Sequence, residues 1–130
     1  MTPKAQSARS ADDLATEYAS ADLALCAFGV TAYELAAFGV PAIYLGLTED
    51  HARSASAFEA AGMGVSLGVA SQVADGDILA QVKALMNDAG RRREMRNAGL
   101  ATIDGTAAAR IASDLADALK EERAPLRRAL

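Results

Sequence analysis

Two short apolar runs, Leu23-Ala24-Leu25-Cys26-Ala27 and Ala42-Ile43-Tyr44-Leu45, stand on either side of a segment with room for about two turns of helix. This spacing constrains the fold more than any other feature of the chain. Uncharged runs of this length, without the alternation of a half-wetted strand, predict strands covered on both faces, as in a parallel sheet. Between them Phe28-Gly29-Val30 turns the chain into a helix predicted from about Thr31 to Phe38, which Gly39 and Pro41 end. Strand, helix and strand in this order form a right-handed crossover with parallel strands. The ligand edge of such a sheet lies outside the carboxyl ends of its strands, here Ala27 to Val30 and Gly46 to His51.

The flanking sequence extends the same pattern. Polar residues 1–10, MTPKAQSARS, read as a disordered or expression-derived start. Ser10 is placed to cap a short helix to about Ser20, with Leu14 and Tyr18 pointing inward. After the second strand, Asp50 to Ala61 reads as a helix stopped by Gly62, and Gly64 to Gly68 as a short third strand. Ile78, Val82, Leu85 and Met86 mark one face of a helix that Asp75 or Asp77 can cap. Arg91 to Thr102 reads as a further helix, and Ile111, Leu115 and Leu119 stripe a last one. From residue 121 the periodicity fails and a loose end is expected. The fold class is therefore α/β: a parallel sheet of about three strands with flanking helices and a helical C-terminal end, residues 11–120 forming a single domain.

Composition narrows the function classes. With 130 residues there is room for one modest core, and aromatic residues are so few, at 5%, that Ala, Leu and Val must fill most of it. A net charge of −4, with no aromatics interleaved among basic residues, argues against nucleic acid as a partner. The single cysteine, Cys26, cannot form an internal disulfide, so a reduced, cytoplasmic setting is the simpler expectation. No run approaches the roughly 18 apolar residues of a membrane span, and the first ten residues lack the apolar centre of a signal peptide.

Candidate chemistry gathers at the predicted ligand edge. Gly29 lets a ligand approach the backbone or takes a positive φ, and the N–H groups of Val30, Thr31 and Ala32 would open a helix N-terminus suited to a phosphate or diphosphate. The Thr31 hydroxyl adds a hydrogen bond, and Glu34, one turn along, is placed to accept from a ribose diol. The same spacing, Thr31 to Glu34, also fits a capping box that merely satisfies the helix end. Beyond the next strand, Glu49, Asp50 and His51 border the same edge. His51 is the sole histidine, a residue type suited to acid–base work, though a histidine at a helix start is commonly a cap or surface residue. His, Cys and carboxylates do not combine at ligand spacing, so neither a metal nor another cofactor is expected. Cys26, inside an apolar strand, reads as core, and the Arg91-Arg92-Arg93-Glu94-Met95-Arg96 run as a solvated helix face.

Taken together, Ala21-Asp22-Leu23-Ala24-Leu25, Phe28-Gly29-Val30-Thr31-Ala32-Tyr33-Glu34-Leu35, Phe38-Gly39-Val40-Pro41-Ala42 and Leu47-Thr48-Glu49-Asp50-His51 resemble the C-terminal half of a GT-B glycosyltransferase-like protein. The resemblance is to the nucleotide-sugar hydrolase of pseudaminic acid synthesis with its spore-coat polysaccharide relatives and, more distantly, to the peptidoglycan N-acetylglucosaminyltransferase. The resemblance runs over about residues 11 to 68 and preserves the spacing from Asp22 to Glu34. It implies a partial Rossmann-like fold in which Gly29, Val30 and Thr31 line a diphosphate site, Glu34 holds the ribose, and Glu49, Asp50 and His51 face the sugar or its phosphate. Cys26, Phe28 and Val30 stand where that group has small or hydroxylated residues. The implied ligand is a UDP- or CMP-linked amino sugar. No catalytic residue of the group maps onto this sequence, because its base resides in an N-terminal Rossmann-like half. That half is expected in the same or another chain, as in a split glycosyltransferase. A non-catalytic interaction domain, homodimeric through an unpaired sheet edge, is the other class the sequence leaves open.

Overall fold

The computed structural model describes residues 11–128, with side chains from 13 to 123; the polar start and the Ser10 cap lie outside the described residues. In chain order the elements are α1 (Ala11–Ser20), β1 (Ala24–Ala27), α2 (Val30–Ala37), β2 (Ala42–Gly46), α3 (Glu49–Ala60), β3 (Gly64–Val69), a single 3₁₀ turn (Ala70–Gln72), α4 (Asp75–Met86), α5 (Ala89–Thr102) and α6 (Ala107–Arg128). The three strands form one parallel sheet in the order β1-β2-β3. Leu25 pairs with Ile43 and Ile43 with Val65, so the crossover helices α2 and α3 each return the chain one strand along.

The central strand carries the core because both of its faces are covered. Ala42, Ile43 and Tyr44 are fully buried. On one face Ala42 and Tyr44 pack with Ala32, Leu35 and Ala36 of α2 and with Ala55 and Phe58 of α3. On the other, Ile43 and Val65 pack with Leu85 of α4 and Met95 of α5. The scarce aromatic rings are concentrated rather than dispersed. Phe28, Tyr33, Tyr44 and Phe58 meet edge to face, with Phe28 and Phe58 centroids 5.0 Å apart and Tyr33 and Phe58 4.8 Å apart, arrangements worth about 0.5–1.5 kcal/mol each beyond the area they bury. This cluster fixes the turn that precedes α2. The Tyr44 hydroxyl is buried with no partner among the described residues, and burial pushes its phenol well above the ordinary value.

Several expectations change. The first strand is not covered on both faces: Ala24 and Cys26 pack against the α2 cluster, but Leu25 is 49% exposed. The reason is topological, since β1 is an edge strand and α4 and α5, which follow β3, cover the opposite face only around Leu23, Ile43, Val65 and Leu67. Neither Asp75 nor Asp77 caps α4. Its N-cap is Ala74, and both aspartates lie in the first turn, where they complement the helix dipole instead. Helix α5 starts two residues before Arg91, with the Asp88 carboxylate accepting from the Arg91 amide at 2.9 Å. The arginine run is solvated only in part. Arg92 donates to the carbonyls of Leu85 and Met86 at 2.6 and 2.7 Å, closing the end of α4, and Arg96 reaches the Gly39 carbonyl at 3.4 Å.

Candidate functional site

The Phe28 amide donates to the Leu45 carbonyl at 2.8 Å, which holds the ends of β1 and β2 side by side. The chain therefore leaves both strands at one edge, and α2 and α3 both begin there. This brings together the two segments that the sequence marks as a site, Gly29 to Glu34 and Glu49 to His51.

The two helix starts differ in how their free amides are met. Gly29 is the N-cap of α2 and no side chain caps the helix; its first turn holds no acidic residue. The capping-box reading of Thr31 and Glu34 is thus corrected, because the helix begins at Val30 and places Thr31 inside the first turn rather than before it. Gly29 has φ 172°, extended backbone rather than the positive φ entertained from sequence. A Cβ added there would meet nothing within 4 Å, so the space above the turn is open. Of the three amides expected to be free, that of Ala32 donates to the Gly29 carbonyl at 3.0 Å, leaving those of Val30 and Thr31 at the mouth. The positive end of the α2 dipole is consequently uncompensated by any acidic side chain of its own first turn.

At α3 the corresponding positions are occupied. The Thr48 hydroxyl accepts from the His51 amide at 3.2 Å, and Glu49 and Asp50 fill the first turn. Asp50 also pairs with Arg53 at 3.1 Å. Gly46, at the end of β2, is enclosed: a Cβ there would lie 2.6 Å from the Ala52 backbone nitrogen. His51 is exposed in the first turn, its amide tied to Thr48.

Glu34 sits one turn along α2, exposed, and its Oε2 accepts from the Tyr18 hydroxyl at 3.3 Å. Burial and the Glu34 charge push the Tyr18 phenol above its ordinary value, while a hydrogen bond with the Thr31 side chain pulls it the other way. Tyr18 thereby ties α1 to the Glu34 carboxylate, and its ring also meets Phe38 edge to face at 5.7 Å. Sequence reasoning placed Tyr18 in the core and missed this link, because Tyr18 and Glu34 lie on different helices and no short spacing joins them. Val30 and Leu47, 75% and 65% exposed, form apolar lips on the two turns. Cys26 is half-buried, and burial pushes its thiol up to about 11, which favours the neutral form near pH 7. Among the described residues no group of three or more His, Cys, Asp or Glu is placed to hold a metal ion, and no helix is long and apolar enough to cross a membrane.

Fold and edge together define an α/β chain whose parallel sheet presents one uncapped helix mouth beside one capped one. Over 111 residues this chain is 28% identical to the spore coat polysaccharide biosynthesis protein SpsG of Bacillus subtilis (strain 168), an alignment covering 85% of the chain and 33% of that protein. The chain thus spans about a third of the length of the curated relative it matches. No family model matches the sequence, and no solved structure matches it.

Proposed function

We propose that this chain is a nucleotide-sugar-binding segment of a GT-B-like enzyme of surface-polysaccharide biosynthesis. The observation that carries this reading is the α2 mouth: an uncapped helix start with open space above Gly29, free of acidic side chains, beside a carboxylate one turn away. Such a mouth favours an anion, and the amides of Val30 and Thr31 with the Thr31 hydroxyl can donate to a diphosphate. Glu34, already oriented by Tyr18, can accept from both hydroxyls of a ribose. The α3 start has the opposite character. Glu49 and Asp50 repel a second phosphate but accept from the hydroxyls or amine of an amino sugar, and His51 stands beside them. The similarity to SpsG, a spore coat polysaccharide biosynthesis protein, supports the pathway class.

In this reading the chain binds and orients a UDP- or CMP-linked amino sugar, and an N-terminal Rossmann-like half, in the same or another chain, supplies the catalytic groups for hydrolysis or transfer. Calorimetric titration with UDP-N-acetylglucosamine tests the assignment. Thr31→Val and Glu34→Ala each lower affinity, because each removes a polar partner of a bound ligand, at about 1 kcal/mol or roughly fivefold for a neutral hydrogen bond. Equal affinity in the wild type and both variants would overturn the placement of the site.

A further inference from the structure

We propose that Tyr18 is a positioning residue: by holding the Glu34 carboxylate in one direction beside the α2 mouth, it makes the site select ribonucleotides over deoxyribonucleotides. The inference rests on the reading of Glu34 as the partner of a ribose, and adds the residue that aims that carboxylate. Glu34 is exposed on α2, and a glutamate free on a helix surface exchanges among several rotamers. Binding a ligand then costs the freedom of that side chain as well as that of the ligand. Tyr18, from α1, removes part of this cost by donating its hydroxyl proton to Glu34 Oε2 at 3.3 Å.

The donor is itself held in place. The Tyr18 ring is half-buried against the core cluster on the α2 side of the sheet and meets Phe38 edge to face. A phenol oxygen lies on the axis of its ring, so packing the ring fixes the oxygen. Burial, the Glu34 charge and the hydrogen bond to Glu34 all raise the phenol, so near neutral pH Tyr18 keeps its proton and remains a donor. Arg110 lines the same cavity of about 430 Å³ as Glu34, between α2 and the α5–α6 turn, but its guanidinium donates to Asp104 at 2.7 Å and to Thr106 at 2.6 Å. A carboxylate offers about four lone-pair positions. Tyr18 takes one on Oε2, which leaves Oε1 to meet the ribose hydroxyls. The 2′-hydroxyl is the group a deoxyribonucleotide lacks, and a polar group aimed at a substrate hydroxyl discriminates against the analogue without it.

Calorimetric titration of the full chain with UDP and with CMP, each beside its 2′-deoxy counterpart, tests the proposal. The wild type should prefer the ribose form about tenfold, the scale of one hydrogen bond to a charged group. Tyr18→Phe keeps the ring and its packing; it should cut the preference to about threefold, as expected when one side chain must be immobilised on binding. Its affinity for the deoxy forms and its circular dichroism spectrum should not change. In a Glu34→Ala background the preference should vanish, and Tyr18→Phe should then change nothing further. A Tyr18→Phe chain that keeps the wild-type preference, or that binds both forms more weakly by the same factor, overturns the positioning role and leaves Glu34 at the ribose. An effect of Tyr18→Phe on the preference that persists without Glu34 overturns it as well. A wild type that binds neither form, or both equally, overturns the ribose reading of Glu34 and this inference with it.

Discussion

The turns before α2 and α3 leave neighbouring parallel strands at the same edge, yet they are built in opposite ways. At α3 a threonine caps the helix, two carboxylates fill the first turn, and a glycine is enclosed by the backbone of the helix it precedes. At α2 there is neither a side-chain cap nor a carboxylate in the first turn, and the space over the glycine is open. The first turn satisfies itself; the second has amides left for something else. Since unmet amides at a helix start normally cost stability, the difference assigns the structural task to α3 and leaves α2 available for a ligand. Under the proposed function it would also order the ligand, with the anionic part at α2 and the hydroxyl or amine-bearing part at α3.

Substitutions at paired positions in the two turns can break this comparison. The largest effect is expected for Gly46→Ala, whose Cβ would fall 2.6 Å from the Ala52 nitrogen. The start of α3 must shift, and urea denaturation should show a loss of about 3 kcal/mol, the upper part of the range for overpacking. Thr48→Ala removes the cap of α3 and should cost about 1 kcal/mol in the same assay, while Thr31→Val at α2 should cost less, because Thr31 caps nothing. A smaller, pH-dependent effect belongs to Tyr18. Its phenol is raised in the folded chain, so that contribution is complete below the ordinary value of 10.0 and disappears as pH rises through the folded value. Glu34→Gln takes away the Glu34 charge, and ultraviolet titration should show the Tyr18 phenol ionising at lower pH than in the wild type. Gly29→Ala should be the mildest for folding, within about 0.5 kcal/mol of wild type, yet it should weaken nucleotide-sugar binding, because the added methyl enters the space assigned to the ligand. A Gly29→Ala chain that binds unchanged would remove the distinction between the two turns.

Much of this was legible before any coordinates. Leu23 to Ala27 and Ala42 to Leu45, read as strands around a helix, place the Gly29 and Thr48 turns on one edge, because the handedness and direction of a crossover follow from chain geometry alone. What the sequence conceals is pairing at long range. Leu25 looks as buried as Ile43 in a list of apolar residues, and only the strand order leaves it half-open at the sheet edge. Thr31 and Glu34 have capping-box spacing, and only the actual start of the helix at Val30 rules that role out. Tyr18 reaches Glu34 across two helices, a contact no local pattern encodes. The role of Arg92 is hidden in the same way, since a run of arginines reads as solvated until one of them is seen to close α4.

The central claim is that the mouth of α2, and not the start of α3, receives the anionic part of a nucleotide-sugar. Backbone-amide NMR of the full chain, titrated in turn with UDP, CMP and UDP-N-acetylglucosamine, tests this most directly. All ligands that bind should shift the amides of Gly29, Val30 and Thr31, and the sugar-bearing ligand alone should add shifts at Glu49 to His51. Shifts from UDP or CMP centred on Glu49 to His51, or spectra in which Gly29 to Glu34 stay unmoved at saturating ligand, would contradict it.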